Sequence, residues 1–250
     1  AVVRSPRTTA LFFCARGLGY DAGDRVPFAG TQSTVASLIP PATPPSPVTG
    51  ALFTARALCC RRGLRAVFAG VAFDLGAGDA LVLTGPNGSG KSSLLRVLAG
   101  LSPASAGEVL WSGAPVGWDD EAHRARLAYL GHSDAVKPAL SVAENLDFWI
   151  ALGGGGGESG AARDQALRRF GLMALAHLPA RYLSAGQRRR LSLARVAAAP
   201  RALWLLDEPS VGLDVEAQAA LLAALAAHRA DGGIAVVSTH AALALPGARA

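Results

Sequence analysis

Beyond residue 50, short apolar runs alternate with longer segments of helical character. Residues 81–84, 202–206 and 234–238 are runs of mostly aliphatic residues, each about the length of one buried strand. Residues 92–99 and 215–228 follow such runs and are predicted helices. Strands that are apolar throughout are typical of parallel sheets covered on both faces. The pattern therefore predicts an α/β fold with a mostly parallel sheet and helices on both faces.

Two stretches depart from this alternation. Between about residues 132 and 190 the pattern is mainly helical and predicts a helical subdomain. Residues 31–50 are rich in Ser, Thr and Pro, and clustered prolines fit neither a helix interior nor a central strand. We therefore interpret residues 1–50 as an atypical N-terminal extension with a Pro-rich linker, and residues 51–250 as the functional domain.

The composition limits the class of protein. Of 250 residues, 51% are hydrophobic and 17% are charged, which excludes a disordered chain. The mean hydropathy of +0.31 resembles that of a membrane protein. However, no stretch reaches 18 apolar residues without a charge or a turn residue, so the sequence predicts no membrane-spanning helix.

The charge balance indicates an anionic partner. Lys and Arg number 24 against 18 Asp and Glu, a formal net charge of +6. Such a balance fits a polyphosphate, a nucleic acid or an anionic membrane surface, although a bias toward Arg and Ala explains it equally well. The three cysteines lack the spacing of metal ligands and are expected in a reducing compartment.

The strongest motif is glycine-rich and lies between a predicted strand and a predicted helix. Glycines let the backbone curl so that successive N–H groups point at a phosphate, and the helix N-terminus adds positive potential. In such a loop Lys91 reaches the β- and γ-phosphates and the Ser92 hydroxyl binds Mg²⁺. The predicted nucleotide-binding residues are Gly85, Pro86, Asn87, Gly88, Ser89, Gly90, Lys91, Ser92 and Ser93.

A second motif is an apolar strand that ends in two carboxylates, Asp207 and Glu208. Ligands of open parallel sheets bind at the carboxyl ends of the strands, where these acids are expected to lie. Asp207 is predicted to bind Mg²⁺ through water, and Glu208 to act as the general base that polarises an attacking water.

A third motif gives the resemblance to a known family. The segment Leu183, Ser184, Ala185, Gly186 and Gln187 runs into a predicted helix and resembles the signature segment of ABC-type ATPases. The ordered set continues with Asp214 after the acidic strand and His240 after the last strand. The resemblance implies a P-loop NTPase fold of the ABC nucleotide-binding type, with an antiparallel β part and a helical subdomain beside the parallel sheet.

The resemblance also implies an ATP- and Mg²⁺-dependent homodimer of ATPase domains. Ser184 and Gly186 of one protomer would close over the γ-phosphate held by Lys91 of the other. Asp214 would link the two sites, and His240 would contact the γ-phosphate and hold the water next to Glu208. We expect the following residues Arg188, Arg189 and Arg190 to form a solvated helix face.

Two positions depart from the family pattern. Arg62 stands where an aromatic ring normally stacks on adenine, and a guanidinium can also stack on a base. His132 stands where a glutamine normally senses the γ-phosphate and the transmembrane partner. Because histidine titrates near neutrality, this substitution predicts a pH-sensitive coupling step.

The residues between the motifs narrow the resemblance to one group of ABC-type ATPases. Residues 131–149, 183–190, 204–209 and 232–240 are similar to the ATP-binding subunits of cytochrome c maturation haem exporters. This implies a peripheral subunit at the cytoplasmic face of a bacterial inner membrane, docked on separate transmembrane subunits through residues 132–149, with no nucleic acid partner. The alternatives are the ATPase subunit of another ABC importer or exporter, a soluble non-transport ABC module, and a module that binds nucleotide without hydrolysing it.

Overall fold

The computed structural model describes residues 2–5, 8–12, 51–153, 159–199 and 201–240. The strands are β1 Val2–Ser5, β2 Thr8–Phe12, β3 Phe53–Arg62, β4 Arg65–Leu75, β5 Ala80–Thr84, β6 Ala106–Trp111, β7 Ala114–Pro115, β8 Leu127–Leu130, β9 Leu203–Asp207 and β10 Ile234–Thr239. The helices are α1 Lys91–Leu98, α2 Glu121–Arg126, α3 Val142–Leu152, α4 Ser159–Arg169, α5 Ala185–Ala198 and α6 Val215–Ala230, with short 3₁₀ turns at Met173–Leu175 and Ala180–Tyr182.

The larger sheet has the strand order β1-β2-β5-β10-β9-β8. All neighbouring pairs from β2 to β8 are parallel, and only β1 is antiparallel to its neighbour. In this register Thr239 lies beside Thr84, and Ser238 lies beside Asp207. The carboxyl ends of β5, β10 and β9 therefore meet at one edge, which confirms the predicted α/β class with a mostly parallel sheet.

The central strands separate two hydrophobic cores. In β9, Trp204 and Leu206 pack into the core shared with the helical part, whereas Leu203 and Leu205 pack into the core shared with α1 and the smaller sheet. Successive side chains of a strand point to opposite faces, so a strand buried on both faces must be apolar throughout. This is why the three central strands appear in the sequence as unbroken apolar runs.

The second sheet is antiparallel, with the order β4-β3-β6-β7. Its long hairpin joins β3 to β4, and Arg62 pairs with Arg65 across the turn. Register shifts interrupt the β3–β4 pairing, and such irregularities bend a hairpin. The sheet confirms the expected antiparallel part, and its bent hairpin extends to the same edge at which β5 ends.

The helical part follows β8 and contains α3, α4 and α5. α3 begins with a capping box in which the Ser141 hydroxyl accepts from the Glu144 N–H and the Glu144 carboxylate accepts from the Ser141 N–H. Asn145 ties the loop before α3 to that helix, because its amide donates to the carbonyls of Lys137 and Leu140. The predicted helical character of residues 132–190 is thereby observed, with α5 continuing to Ala198.

Two predictions concern the flanks of this domain. β2, which belongs to the segment set apart at the N-terminus, pairs with β5 in the main sheet. Residues 13–50, including the Pro-rich linker, lie outside the described residues, so the division at residue 50 stays a prediction. Among the described helices, none is long and apolar enough to cross a membrane.

One buried histidine gives a prediction about stability. His123 is fully buried, its Nε2 is 2.8 Å from the carbonyl oxygen of Leu98, and its ring stacks on Phe53. Burial lowers the pKa of His123 below its usual 6.5. Between these two pKa values the unfolded chain binds more protons than the folded chain, so the free energy of unfolding falls as the pH falls below about 6.5.

We expect His123→Gln to flatten the decline in the free energy of unfolding between pH 7 and pH 5, measured by urea denaturation. Each unit of pKa depression corresponds to about 1.4 kcal/mol of this decline. Burial also lowers the pKa of His228, which keeps part of the slope in the variant. His177→Gln, at an exposed position, is the matched control for loss of a histidine. An equal slope in His123→Gln would contradict this account.

Candidate active site

A cavity of about 1000 Å³ opens at the edge where β5, β9 and β10 end. One wall comes from the loop after β5 and the start of α1, and another from the β3–β4 hairpin. The remaining walls come from the segments after β8, β9 and β10 and from the start of α5. The lining residues are Arg62, Arg65, Ala66, Val67, Asn87, Gly88, Ser89, Gly90, Lys91, Ser92, Ser93, His132, Asp134, Ala185, Gly186, Arg189, Asp207, Glu208, Val211, Gly212 and His240.

The glycine-rich loop has the backbone that the motif requires. Gly88 and Gly90 have φ values of +78° and +99°, which residues with a Cβ rarely adopt. A Cβ at Gly90 would also lie 3.0 Å from Cγ1 of Val67, so the loop packs closely beneath the hairpin. α1 begins directly after Gly90 without a side-chain cap and without an acidic residue in its first turn. Its N-terminus therefore presents free N–H groups and positive potential to the cavity.

Lys91 lies at the base of the cavity, with 6% of its side chain exposed. Its ammonium donates to the carbonyls of Gly85 and Pro86 at 2.7 and 3.1 Å. The same nitrogen is 3.8 Å from Oε1 of Glu208. The structure thus places a buried cation between the glycine-rich loop and the candidate general base, where an anionic group can bind.

Two residues fix Glu208: His240 contacts its carboxylate, and Ser238 accepts from its N–H. His240 Nδ1 lies 2.8 Å from its Oε2, and because an ionised carboxylate only accepts hydrogen bonds, Nδ1 carries the proton in this contact. The Glu208 N–H donates to both the hydroxyl and the carbonyl of Ser238. Its φ of +48° is unusual for a residue with a side chain, and such strain occurs mainly where the surrounding structure enforces it. The carboxylate therefore has a fixed direction into the cavity.

Asp207 is buried, and one of its carboxylate oxygens accepts a 2.6 Å hydrogen bond from the Ser238 hydroxyl. Ser92, at the start of α1, lines the same cavity. A serine hydroxyl and a carboxylate are both hard oxygen ligands, which Mg²⁺ prefers when it also binds substrate phosphates. The residues present at this position therefore fit Mg²⁺.

The hairpin brings Arg62 and Arg65 to the cavity together with Val67. The described part of the hairpin contributes no aromatic ring to the lining, so a base bound there meets guanidinium and aliphatic groups. On the opposite wall, His132 and Asp134 come from the segment after β8. His132 is exposed, and the contact that we predicted between it and a nucleotide stays a prediction.

The signature segment begins α5. Ser184 and Gln187 form a reciprocal capping box, with hydrogen bonds of 3.2 and 2.8 Å, and Leu183 is buried. Ala185 and Gly186 line the cavity of their own chain, while Asp214 caps α6 by accepting from the Ala217 N–H. These local contacts explain the residue types within one chain, whereas the action of Ser184, Gly186 and Asp214 across a dimer stays a prediction.

The expected solvated face of Arg188, Arg189 and Arg190 is wrong for one member. Arg189 is only 8% exposed, and its guanidinium donates to the carbonyls of Asp207 and Glu208 at 2.9 and 2.8 Å. Three successive residues of a helix span about 200°, so the three arginines point in different directions and need not share one face. The buried Ser192, Leu193 and Val196 lie three, four and seven residues after Arg189. This helical spacing is the sequence signal that indicates a buried Arg189.

Comparison with known proteins identifies the family. Residues 68–211 match the family model described as ABC transporter, which spans the glycine-rich loop, α5 and the acidic end of β9. The chain belongs to the ABC transporter family. The predicted P-loop NTPase fold of the ABC type and the predicted ATPase activity are thereby confirmed.

Individual relatives agree with this assignment. The chain is 58% identical over 198 residues to the cytochrome c biogenesis ATP-binding export protein CcmA of Paramagnetospirillum magneticum, covering 79% of this chain and 91% of that protein. It is 51% identical over 211 residues to the protein of the same name from Rhodospirillum rubrum, covering 84% and 89%. A solved ATP binding subunit of an ABC transporter matches with a TM-score of 0.69 and 26% identity, over 76% of this chain and 79% of that one.

The first prediction for this ABC site concerns Glu208. Removal of a general base typically lowers a rate by about 10² to 10⁴-fold. We expect Glu208→Gln to lower the ATP turnover number by this factor while the affinity for ATP is retained, because the amide keeps the shape but cannot accept the proton. Steady-state hydrolysis and equilibrium binding of ATP measure the two effects. Wild-type turnover in this variant would assign the base elsewhere.

A second prediction concerns the base of the nucleotide. If the Arg62 guanidinium stacks on adenine, Arg62→Ala should raise the Kd for ATP by roughly 5-fold, as expected for loss of about 1 kcal/mol of cation–π contact. Arg62→Tyr should restore binding, since it supplies the aromatic ring usual in the family. Arg61→Ala, an exposed neighbour that does not line the cavity, is the control. An unchanged Kd in Arg62→Ala would contradict the stacking role.

Proposed function

We propose that the chain is the ATP-hydrolysing subunit of an ABC exporter that supplies haem handling for cytochrome c biogenesis. The observation that carries this proposal is the match to relatives named for cytochrome c biogenesis export over about nine-tenths of their length. The cavity supports it, because it gathers the loop after β5, the acidic end of β9 and His240 around one space. ATP, held together with Mg²⁺, is the proposed ligand.

In the proposed mechanism the triphosphate lies along the glycine-rich loop. The N–H groups at the start of α1 and the Lys91 ammonium bind the phosphate oxygens. Ser92 and Asp207 would hold the Mg²⁺, and Ser238 orients the Asp207 carboxylate through its 2.6 Å hydrogen bond. When bound, Mg²⁺ supplies charge neutralisation of the phosphate oxygens during phosphoryl transfer.

Glu208 accepts the proton of a water whose oxygen forms the new bond to the γ-phosphorus. The bond between that phosphorus and the β–γ bridging oxygen breaks, and its electron pair leaves with ADP. His240 fixes the carboxylate through Nδ1, and with the proton on Nδ1 its Nε2 can accept a hydrogen bond from the water. The strained backbone of Glu208 keeps the carboxylate in this direction before ATP binds, which reduces the cost of reaching the transition state.

We propose that two copies of the chain form the working unit. Ala185 and Gly186 at the start of α5 border an open cavity, and a second copy can close such a cavity. Ser184 and Gly186 of one copy would then face the phosphates held by Lys91 of the other. Asp214, exposed at the start of α6, would lie near the two-fold axis.

A second cavity supports docking on separate transmembrane subunits. It measures about 1020 Å³ and is lined by Leu101, Trp149 and Leu152 together with Arg96, Arg124, Arg195 and Arg201. Leu152 is 67% exposed and Leu101 is 42% exposed, so both present apolar surface in this cavity. Exposed leucines beside the exposed Arg96 and Arg124 fit a partner segment that carries both apolar and acidic side chains.

This groove also shares lining residues with the nucleotide cavity, namely Ser92, His132 and Asp207. A partner seated in the groove would therefore contact the segment that borders the phosphates. In keeping with relatives named as export proteins, we further propose that the chain works at the cytoplasmic face of a bacterial inner membrane, as a peripheral component without a nucleic acid partner.

The proposed function is tested by co-purification of the tagged chain from native membranes. We expect recovery of the membrane subunits of cytochrome c maturation with the wild-type chain, and a loss of at least about 10-fold for Leu152→Asp, since a buried carboxylate in an apolar contact costs several kcal/mol. Leu64→Asp, which is 95% exposed on the β3–β4 turn, is the matched control and should co-purify normally.

The outcomes distinguish the alternatives. Recovery of a different set of membrane subunits would assign the chain to another importer or exporter. Absence of any membrane partner, with ATPase activity intact, would favour a soluble ABC module. Binding of ATP without hydrolysis would leave only a nucleotide-binding module and contradict the proposed mechanism.

A further inference from the structure

The side chain of Arg189 joins three separate parts of the molecule. It arises from α5, two residues after the signature segment. One terminal nitrogen, Nη2, donates to the backbone carbonyls of Asp207 and Glu208 at 2.9 and 2.8 Å. The other, Nη1, donates to the Gly131 carbonyl at 3.2 Å and to the Asp134 carboxylate at 3.3 Å.

A cation in this position needs these partners. With 8% of its surface exposed, Arg189 has lost most of its hydration, and a buried charge is tolerated only when it is paired and hydrogen-bonded. Asp207 is the last residue of β9, Glu208 follows it, and Gly131 follows the last residue of β8. The guanidinium therefore serves as the hydrogen-bond donor for two adjacent strand ends.

The contact to Glu208 bears on the catalytic base. Both peptide units of this residue are fixed: the Glu208 N–H donates to the Ser238 hydroxyl, and the Glu208 carbonyl accepts from Arg189. Between them φ is held at +48°, a conformation that costs of order 1–3 kcal/mol and needs external support. If the support at the carbonyl is weakened, the backbone can relax and the carboxylate turns away from its direction in the cavity.

The contacts of Nη1 connect Arg189 to the segment that borders both cavities. Gly131 lines the docking groove, Asp134 lines the nucleotide cavity, and His132 between them lines both. Because the guanidinium is planar and rigid, a shift of Gly131 or Asp134 turns the whole group and changes the hydrogen bonds made by Nη2. The segment after β8 and the end of β9 are thus connected through one side chain.

We propose that Arg189 is a positioning residue for Glu208 and that it transmits the position of the segment after β8 to the catalytic carboxylate. The inference rests on the ATPase activity of this site and adds a route by which groove occupancy changes the rate of hydrolysis. Arg189 lines the nucleotide cavity, but its hydrogen bonds go to backbone carbonyls and to Asp134, so in this scheme it acts by positioning Glu208 and not on the attacking water.

The test uses Arg189→Lys and Asp134→Asn in the purified full chain. Lysine keeps the charge but cannot span the two pairs of acceptors, and asparagine removes only the ion pair. We expect Arg189→Lys to lower kcat for ATP by roughly 10- to 100-fold, the range associated with small misplacement of a catalytic group, with KM changed less than about 2-fold. Asp134→Asn should lower kcat by a smaller factor. The matched control is Arg190→Lys, whose contact is a 3.5 Å hydrogen bond to the Phe170 carbonyl, and it should retain wild-type kinetics.

Double variants separate positioning from a general structural effect. If Arg189 acts through Glu208, Arg189→Lys should cause no further loss of single-turnover rate in Glu208→Gln, because the group it positions is already inactive. If transmission runs through the ion pair, Asp134→Asn should add nothing in Arg189→Lys. Thermal unfolding of each variant checks that the folded population is unchanged.

Several results would overturn the inference. These are an unchanged kcat in Arg189→Lys, a KM that rises in step with the loss of kcat, or a loss that multiplies with that of Glu208→Gln. A further loss of kcat when Asp134→Asn is added to Arg189→Lys would show that the ion pair does not carry the transmission. A wild-type chain that fails to hydrolyse ATP would instead contradict the proposed function, so the two failures are distinguishable.

Discussion

Parallel pairing of β5, β10 and β9 is the constraint on which the site depends. In-register backbone hydrogen bonds place Thr84 beside Thr239 and Ser238 beside Asp207. Each strand therefore ends at the same level, and the residues that follow the three strands enter one space. The alternation of side chains between two cores fixes this register, since a shift by one residue would exchange the faces of every central side chain.

The buried polar groups at this edge form a continuous network. Ser238 joins Asp207 to the backbone of Glu208, and Arg189 satisfies the carbonyls of both acids. A network of this kind contributes little net stability, because desolvation of the charged groups offsets much of their attraction. Its effect is geometric, because hydrogen bonds to both the N–H and the carbonyl of Glu208 hold the strained backbone of this residue.

The other parts of the chain are attached to this edge in ways that suit the chemistry of a nucleotide. The antiparallel sheet carries Val67 over Gly90 and supplies Arg62 to the cavity. The helical part supplies Arg189 and the start of α5, and it forms the groove that shares His132 with the nucleotide cavity. Ligands bound in the two cavities would therefore contact common residues, which is one physical route for coupling between the cavities.

Local sequence determined the central strands, their following helices and the glycine-rich loop, because each depends on its own apolar run or on the backbone freedom of its own glycines. Sequence also singled out Asp207 and Glu208, since acids at the end of a buried strand must lie at the sheet edge, whereas His240 was singled out only by the resemblance to ABC-type ATPases. The inward direction of Arg189 and the position of His132 between two cavities were decided only by tertiary structure. The hydrogen-bond partners of Arg189 lie about 20 to 60 residues away along the chain, at Glu208 and at Gly131. No local sequence pattern records contacts over such distances.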